Sequence, residues 1–123
     1  MINDDLKLTG AVSIALNGEV VKEIPNLVVT AGKEWVADRM SDANTVMTHM
    51  AIGTGSTTAV VGDTTLDTEL DRNTLTSTTV TNNAIAYVCS WAAGDGTGAI
   101  IEAGLFDASS GGDMLARTVF TSG

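Results

Sequence analysis

The sequence predicts an all-β protein, an antiparallel β-sandwich or jelly roll of about seven or eight strands with one short helix. Three observations predict it. Thr, Val and Ile recur in short runs, Gly is abundant at 13 residues against a single Pro, and turn signals return roughly every 10 to 15 residues. A chain of 123 residues is one domain by length, spanning residues 1–123 with a short N-terminal arm. It is large enough to bury roughly two thirds of its unfolded surface.

Over residues 8–16 apolar or small residues alternate, with Leu8, Val12, Ile14 and Leu16 on one face, and Asn17-Gly18 precedes a second run over 19–24. Asn-Gly tolerates positive φ at both central positions of a type I′ turn, so this segment reads as a hairpin. Pro25-Asn26 interrupts, and residues 27–29 read as a short extended piece. Thr30 is placed to accept a hydrogen bond from the free amides of a helix over 31–40. Trp35, Val36, Arg39 and Met40 recur at three- and four-residue spacing, which predicts a stripe lying on a sheet, with Lys33, Glu34 and Asp38 in water.

After a loop over 41–45, a strand over 46–52 stops at Gly53-Thr-Gly55, where two glycines permit a sharp change of direction. In the long connection that follows, Leu66 and Leu70 lie four apart in Asp63-Thr-Thr-Leu-Asp-Thr-Glu-Leu70. That spacing suggests a single helical turn pinning the loop to the core. Further strands are expected over 74–81, 84–91, 99–106 and 114–121, separated by Asn82-Asn83, the glycine loop 94–98 and residues 107–113.

A formal net charge of −9 with six Lys and Arg repels a phosphate backbone unless the positive groups are gathered. Lys7, Lys22, Lys33, Arg39, Arg72 and Arg117 are scattered instead, so nucleic acid is excluded as a direct partner. Residues 1–8 carry Asp4 and Asp5 without an apolar stretch, and nowhere do about 18 apolar residues run together. A soluble, untargeted chain with no membrane partner is expected. The single Cys89 cannot close an intrachain bridge and suits a reducing compartment.

Chemistry has little to stand on. Nucleophilic catalysis needs a Ser or Cys beside a base held by a third group. The one His, His49, falls within a strand, and no Gly-x-Ser-x-Gly turn is present. Cys89 belongs to the alternating set Ile85, Tyr87, Cys89 and Trp91, where a neutral thiol acts as a small hydrophobe. Two such ligands forty positions apart cannot supply a zinc site. Calcium has weak candidate ligands in Asp63, Asp67 and Asp71, with Glu69 between them, but the spacing fails the EF-hand pattern. The glycine loops lack the Lys-Ser/Thr pair of phosphate cradles, and no carboxylate pair is framed by the aromatic residues of a sugar site. No catalytic residue, no cofactor and no enzymatic activity are expected.

Five segments then occur in order: Asn26-Leu-Val-Val-Thr-Ala-Gly-Lys-Glu-Trp-Val-Ala-Asp-Arg39, Met50-Ala-Ile-Gly-Thr-Gly-Ser-Thr57, Leu66-Asp-Thr-Glu-Leu-Asp-Arg72, Gly98-Ala-Ile-Ile-Glu-Ala-Gly-Leu-Phe106 and Gly112-Asp-Met-Leu-Ala-Arg-Thr-Val-Phe120. Together they resemble virion structural proteins of tailed bacteriophages, both capsid cement or decoration proteins of short-tailed phages and tail-fibre or collar components. The resemblance implies a non-enzymatic protein made in the host cytoplasm and placed on the outer capsid surface of the virion. Its partners would be the major capsid protein and further copies of itself, as a dimer or trimer. A small β-rich domain whose strand edges and arms add to neighbouring subunits suits a cement protein. A tail, collar or head fibre would more often carry a shaft, a repeat or a coiled coil, which this sequence lacks. A calcium-dependent sugar- or cell-surface-binding module is the alternative from another class. The residues expected to meet other subunits are Met1, Ile2, Asn3 and Leu6 of the arm, the loop over 54–63, and Phe120 and Thr121 at the other end, all read as least committed to a core.

Overall fold

The computed structural model describes residues 9–16, 19–41, 45–82, 84–92 and 98–120. Among them, in chain order, are strands β1 (Gly10–Leu16) and β2 (Glu19–Val28), helix α1 (Thr30–Ser41), then strands β3 (His49–Gly53), β4 (Glu69–Thr74), β5 (Ser77–Thr81), β6 (Ala84–Val88), β7 (Glu102–Phe106) and β8 (Met114–Val119). Six strands form one antiparallel sheet in the order β1-β2-β8-β7-β3-β4, while β5 and β6 form a two-stranded sheet of their own. The architecture is all-β and consistent with a sandwich, as the composition predicts, with the strands shared unequally between the two sheets.

The first hairpin is as expected. Leu16 lies opposite Glu19, so two residues connect the strands, although Asn17 and Gly18 themselves lie outside the described residues. The register shifts between Ile14, opposite Lys22, and Ala15, opposite Val20. The extra residue on β2 is a bulge of the kind that twists an edge hairpin. Pro25 does not interrupt β2. It lies opposite Ala11 on β1, while β8 is met only at Leu27 and Val28. Its missing N–H therefore falls before the second neighbour begins, where a strand tolerates proline.

The helix begins one residue earlier than expected. The Val29 carbonyl accepts from the Lys33 amide at 3.0 Å, and the Thr30 amide donates to the Val61 carbonyl at 2.7 Å. Fully buried Val29, rather than Thr30, thus occupies the capping position. The predicted stripe is also corrected. Trp35 is buried and its Nε1 donates to the Thr45 carbonyl at 3.0 Å, but Arg39 is exposed and Met40 is 79% exposed. Contact with β8 is made through Gly32, where a Cβ would collide with the Leu115 carbonyl oxygen. Glycine lets the helix backbone approach the sheet there, and the last turn leaves it.

The connection after β3 departs most from expectation. No helical turn forms over 63–70. Leu66 is buried but Leu70 is 43% exposed, because the chain has already become β4, pairing with β3 from Gly53 opposite Glu69 to His49 opposite Thr74. Backbone pairing along the open edge of β3 satisfies more polar groups than one isolated turn. The single strand expected over 74–81 is consequently divided between β4 and β5. At the tip of the second hairpin Thr81 lies opposite Ala84, and Asn82 has φ +54°, a conformation its short polar side chain tolerates.

Val29, Ala51, Leu66, Phe106 and Met114 form the buried apolar cluster, with Ala31 packed on it. The Arg72 guanidinium lies 3.7 Å from the centre of the Phe106 ring. Its Nη1 donates to the carbonyls of Ala108 and Gly111 at 3.0 Å each, holding the β7-β8 connection against the sheet. Among the described residues no helix is long and apolar enough to cross a membrane.

Candidate functional site

Two of the inner strands each carry one charged residue that is fully buried: Glu102 on β7 and Arg117 on β8. Arg117 lies opposite Gly104, and residues two apart on a strand share a face, so Glu102, Gly104 and Arg117 line one side of the sheet. Gly104 leaves room above the pair: a Cβ there would sit 2.9 Å from Leu66 Cδ2. Onto this face folds the connection over residues 54–68.

Glu102 is the anchor of that connection. Its Oε2 accepts from the amides of Gly55 and Thr68 at 2.8 Å each. Its Oε1 accepts from the Asp67 amide at 2.9 Å and from Arg117 Nε at 3.1 Å. Gly53 and Gly55 are required for this approach, since a Cβ at either would meet the Glu102 carboxylate. Arg117 completes the arrangement, with Nη1 on Asp63 Oδ2 at 2.9 Å, Nη2 on the Thr57 carbonyl at 2.9 Å, and Asp67 Oδ2 at 3.8 Å. The Asp67 carboxyl is held below its ordinary value, chiefly by hydrogen bonding to the Thr57 side chain. Desolvation opposes this, while the Thr57 amide and the Arg117 charge add to it.

A buried charge is tolerated when it is paired and its remaining hydrogen-bonding capacity is filled. Both conditions hold here. With each Glu102 oxygen engaged twice and both nitrogen arms of Arg117 occupied, the cluster binds the chain to itself.

The weak calcium candidates take partners within the chain. Asp63 and Asp67 face Arg117, so the cation they surround is a guanidinium. Asp71 lies on β4, where its Oδ1 accepts from the Arg72 amide at 2.9 Å, and Glu69 pairs with Arg72 at 2.6 Å. These four carboxylates do not converge, and among the described residues no group of three or more His, Cys, Asp or Glu could hold a metal ion.

His49 is a half-buried strand residue with its ring between Thr48 Oγ1, 2.7 Å from Nδ1, and Thr74 Oγ1, 3.4 Å from Nε2. Cys89 is half-buried, and its thiol donates toward the carbonyls of Thr74 and Asn73 at 3.6 and 3.7 Å. Burial pushes the thiol pKa up, the direction opposite to that of a reactive cysteine. The alternating set around it is not all core, since Ile85 is 53% exposed.

Two segments read as least committed to a core are held by the fold. Phe120 is not loose: it is 3% exposed, and its amide donates to the Ile101 carbonyl. The loop over 54–63 is held by Glu102, Arg117 and the bond from Thr30 to Val61, although Val60 and Val61 remain exposed. Met1, Ile2, Asn3, Leu6 and Thr121 lie outside the described residues. A shallow, open depression of about 390 Å³ lies beside the loop, among Pro25, Leu27, Ser56, Thr58 and Val119. Among the described residues Arg117 is the one ionisable residue lining it, and its charge is already taken.

Sequence reasoning missed the buried pair. The signal was present: one acidic residue in Ile100-Ile-Glu-Ala-Gly-Leu-Phe106 and one basic residue in Met114-Leu-Ala-Arg-Thr-Val119, each isolated in an apolar run. No protein-family model, curated protein or solved structure matches the chain.

Proposed function

We propose that this chain is a non-enzymatic virion structural protein, a capsid cement protein that binds the major capsid protein on the outer face of a phage head. The observation that carries the reading is the ordered set of five segments resembling virion proteins of tailed phages. The geometry supports a role in protein contact over one in catalysis. Buried charges are engaged within the chain, His49 and Cys89 are held by strand neighbours, and among the described residues the one ionisable group lining the depression, Arg117, is already paired. Among the described residues no further strand pairs with the outer edges of β1 and β4 in the six-stranded sheet, the kind of surface to which another chain can add a strand. On a shell with hundreds of equivalent positions, modest contacts become lasting through linked binding.

The test is electron microscopy of particles assembled with and without the protein, with a count of copies per particle. Hundreds of copies on the outer lattice, and shells that resist heat better when it is present, are expected. Copies in small multiples of three or six at a vertex would replace this reading with a tail, collar or head-fibre one. Failure to bind any particle component would remove the virion assignment.

A further inference from the structure

We infer that the β5-β6 hairpin is a self-association surface whose occupant is the same hairpin of a second copy of this chain. The inference does not depend on the capsid reading, because it rests on the hairpin's own exposure, pairing and charge.

The hairpin stands apart. Among the described residues its strands pair only with each other, and bonds to the large sheet are at its base, from the Leu75 amide to the Thr48 carbonyl, from Asn73 Nδ2 to the Ser90 carbonyl and from the Cys89 thiol toward the Asn73 and Thr74 carbonyls. Every residue of β5 and all of β6 except Tyr87 are exposed. A lone two-stranded sheet is marginally stable in water unless something covers a face or an edge. One face here is suited to being covered: Val80 lies opposite Ile85, and Thr78 opposite Tyr87, so these side chains project together. Val80 is 66% and Ile85 53% exposed.

Charge selects the occupant. The chain carries −9, and two copies approaching through most of their surfaces would bring carboxylates together. From Asn73 to Gly94 there is no Asp, Glu, Lys or Arg. The hairpin is thus a long uncharged projection on an acidic molecule, where a second acidic copy can make contact without like charges opposed. A basic or acidic partner would find no complementary charge on it. Face-to-face packing about a two-fold axis would set Val80, Ile85 and Tyr87 of one copy against the same residues of the other.

The contact is small. Five residues at about 3.3 Å each and two strands about 4.8 Å apart give a face of roughly 17 by 10 Å, well below a standard interface. Association is therefore reversible and concentration-dependent, and it strengthens with salt as the repulsion between acidic bodies is screened.

Sedimentation velocity of the full chain from about 10 to 500 μM, at about 0.05 and 0.5 M NaCl, tests this. Wild type should shift from monomer toward dimer with concentration, at lower concentration in high salt. Val80→Glu should remain monomeric throughout, and Val80→Thr, which keeps the strand preference, should dimerise at least about fivefold more weakly. Both variants should retain the wild-type circular dichroism, since residue 80 is outside the core. A wild type that stays monomeric at both salts, or association undiminished in Val80→Glu, would overturn the inference.

Discussion

Replacing Arg117 with Met removes the guanidinium and leaves the Glu102 carboxylate, which has no solvent exposure, without its counter-charge. Breaking a buried ion pair from one side costs roughly 3–5 kcal/mol, mostly from the stranded charge. The structure argues for the lower end, about 3 kcal/mol, because three backbone amides still hold the carboxylate. Asp63 adds little, since its side chain is 22% exposed and can hydrate. For a domain with roughly 5–15 kcal/mol in total, the melting temperature should fall by about 10–15 °C. Urea unfolding followed by fluorescence of Trp35 and Trp91 should show a lower midpoint at unchanged slope. Adding Glu102→Gln to Arg117→Met removes the stranded charge and should recover at least about 1 kcal/mol, although Glu102→Gln alone destabilises. If Arg117→Met costs under about 1 kcal/mol, or if the two substitutions simply add, the pair does not anchor the 54–68 connection as argued.

Gly32→Ala should destabilise the protein despite Ala's intrinsic helix advantage of about 1 kcal/mol. The added methyl would collide with the Leu115 carbonyl, and overpacking costs typically about 1–3 kcal/mol; a higher melting temperature would show that α1 does not rest on β8 at this point. The lowered Asp67 pKa gives an acid dependence whose sign is fixed. Its contribution is present in full above the ordinary value of 3.8 and is lost as pH falls through the lower folded value. The difference in melting temperature between wild type and Asp67→Asn should therefore be constant from about pH 7 to 5 and shrink below about pH 3.8; a difference that persists unchanged to about pH 2 would refute the assigned cause.

Local pattern made much of this fold legible. The sequence signals Asn17-Gly18 and Asn82-Asn83 mark two hairpins, and the residues flanking them pair across two-residue connections. The strand ending at Gly53 and the two late strands were visible for similar reasons. What escaped depended on partners distant in sequence. Leu66 and Leu70 match a helical period, but β4 forms because β3 presents an unpaired edge, a fact that no window around residue 70 contains. Met40 matches the stripe of α1, yet the helix turns away from the sheet at a contact made through Gly32, eight residues earlier. Asp63 and Asp67 read as no more than weak calcium candidates, and the countercharge they do meet, Arg117, lies at the far end of the chain where no local window holds it.

The five ordered segments acquire a physical meaning from the same cluster. Gly53 and Gly55 belong to the second, Asp67 and Thr68 to the third, Glu102 and Gly104 to the fourth and Arg117 to the fifth, and all meet at one buried carboxylate or directly above it. The first supplies Val29 and Gly32, which seat the helix. These segments therefore describe a frame: glycines where a side chain would collide, a carboxylate that anchors three amides, and an arginine that neutralises it. A frame of this kind fixes where surfaces lie without deciding what they bind. The longest stretch between the segments, residues 73–97, contains the uncharged hairpin. Substitutions within the frame should alter stability first and association only through it. Substitutions on the Val80 face should alter association while leaving the melting temperature nearly unchanged, and that separation is what a scaffold carrying a distinct contact surface requires.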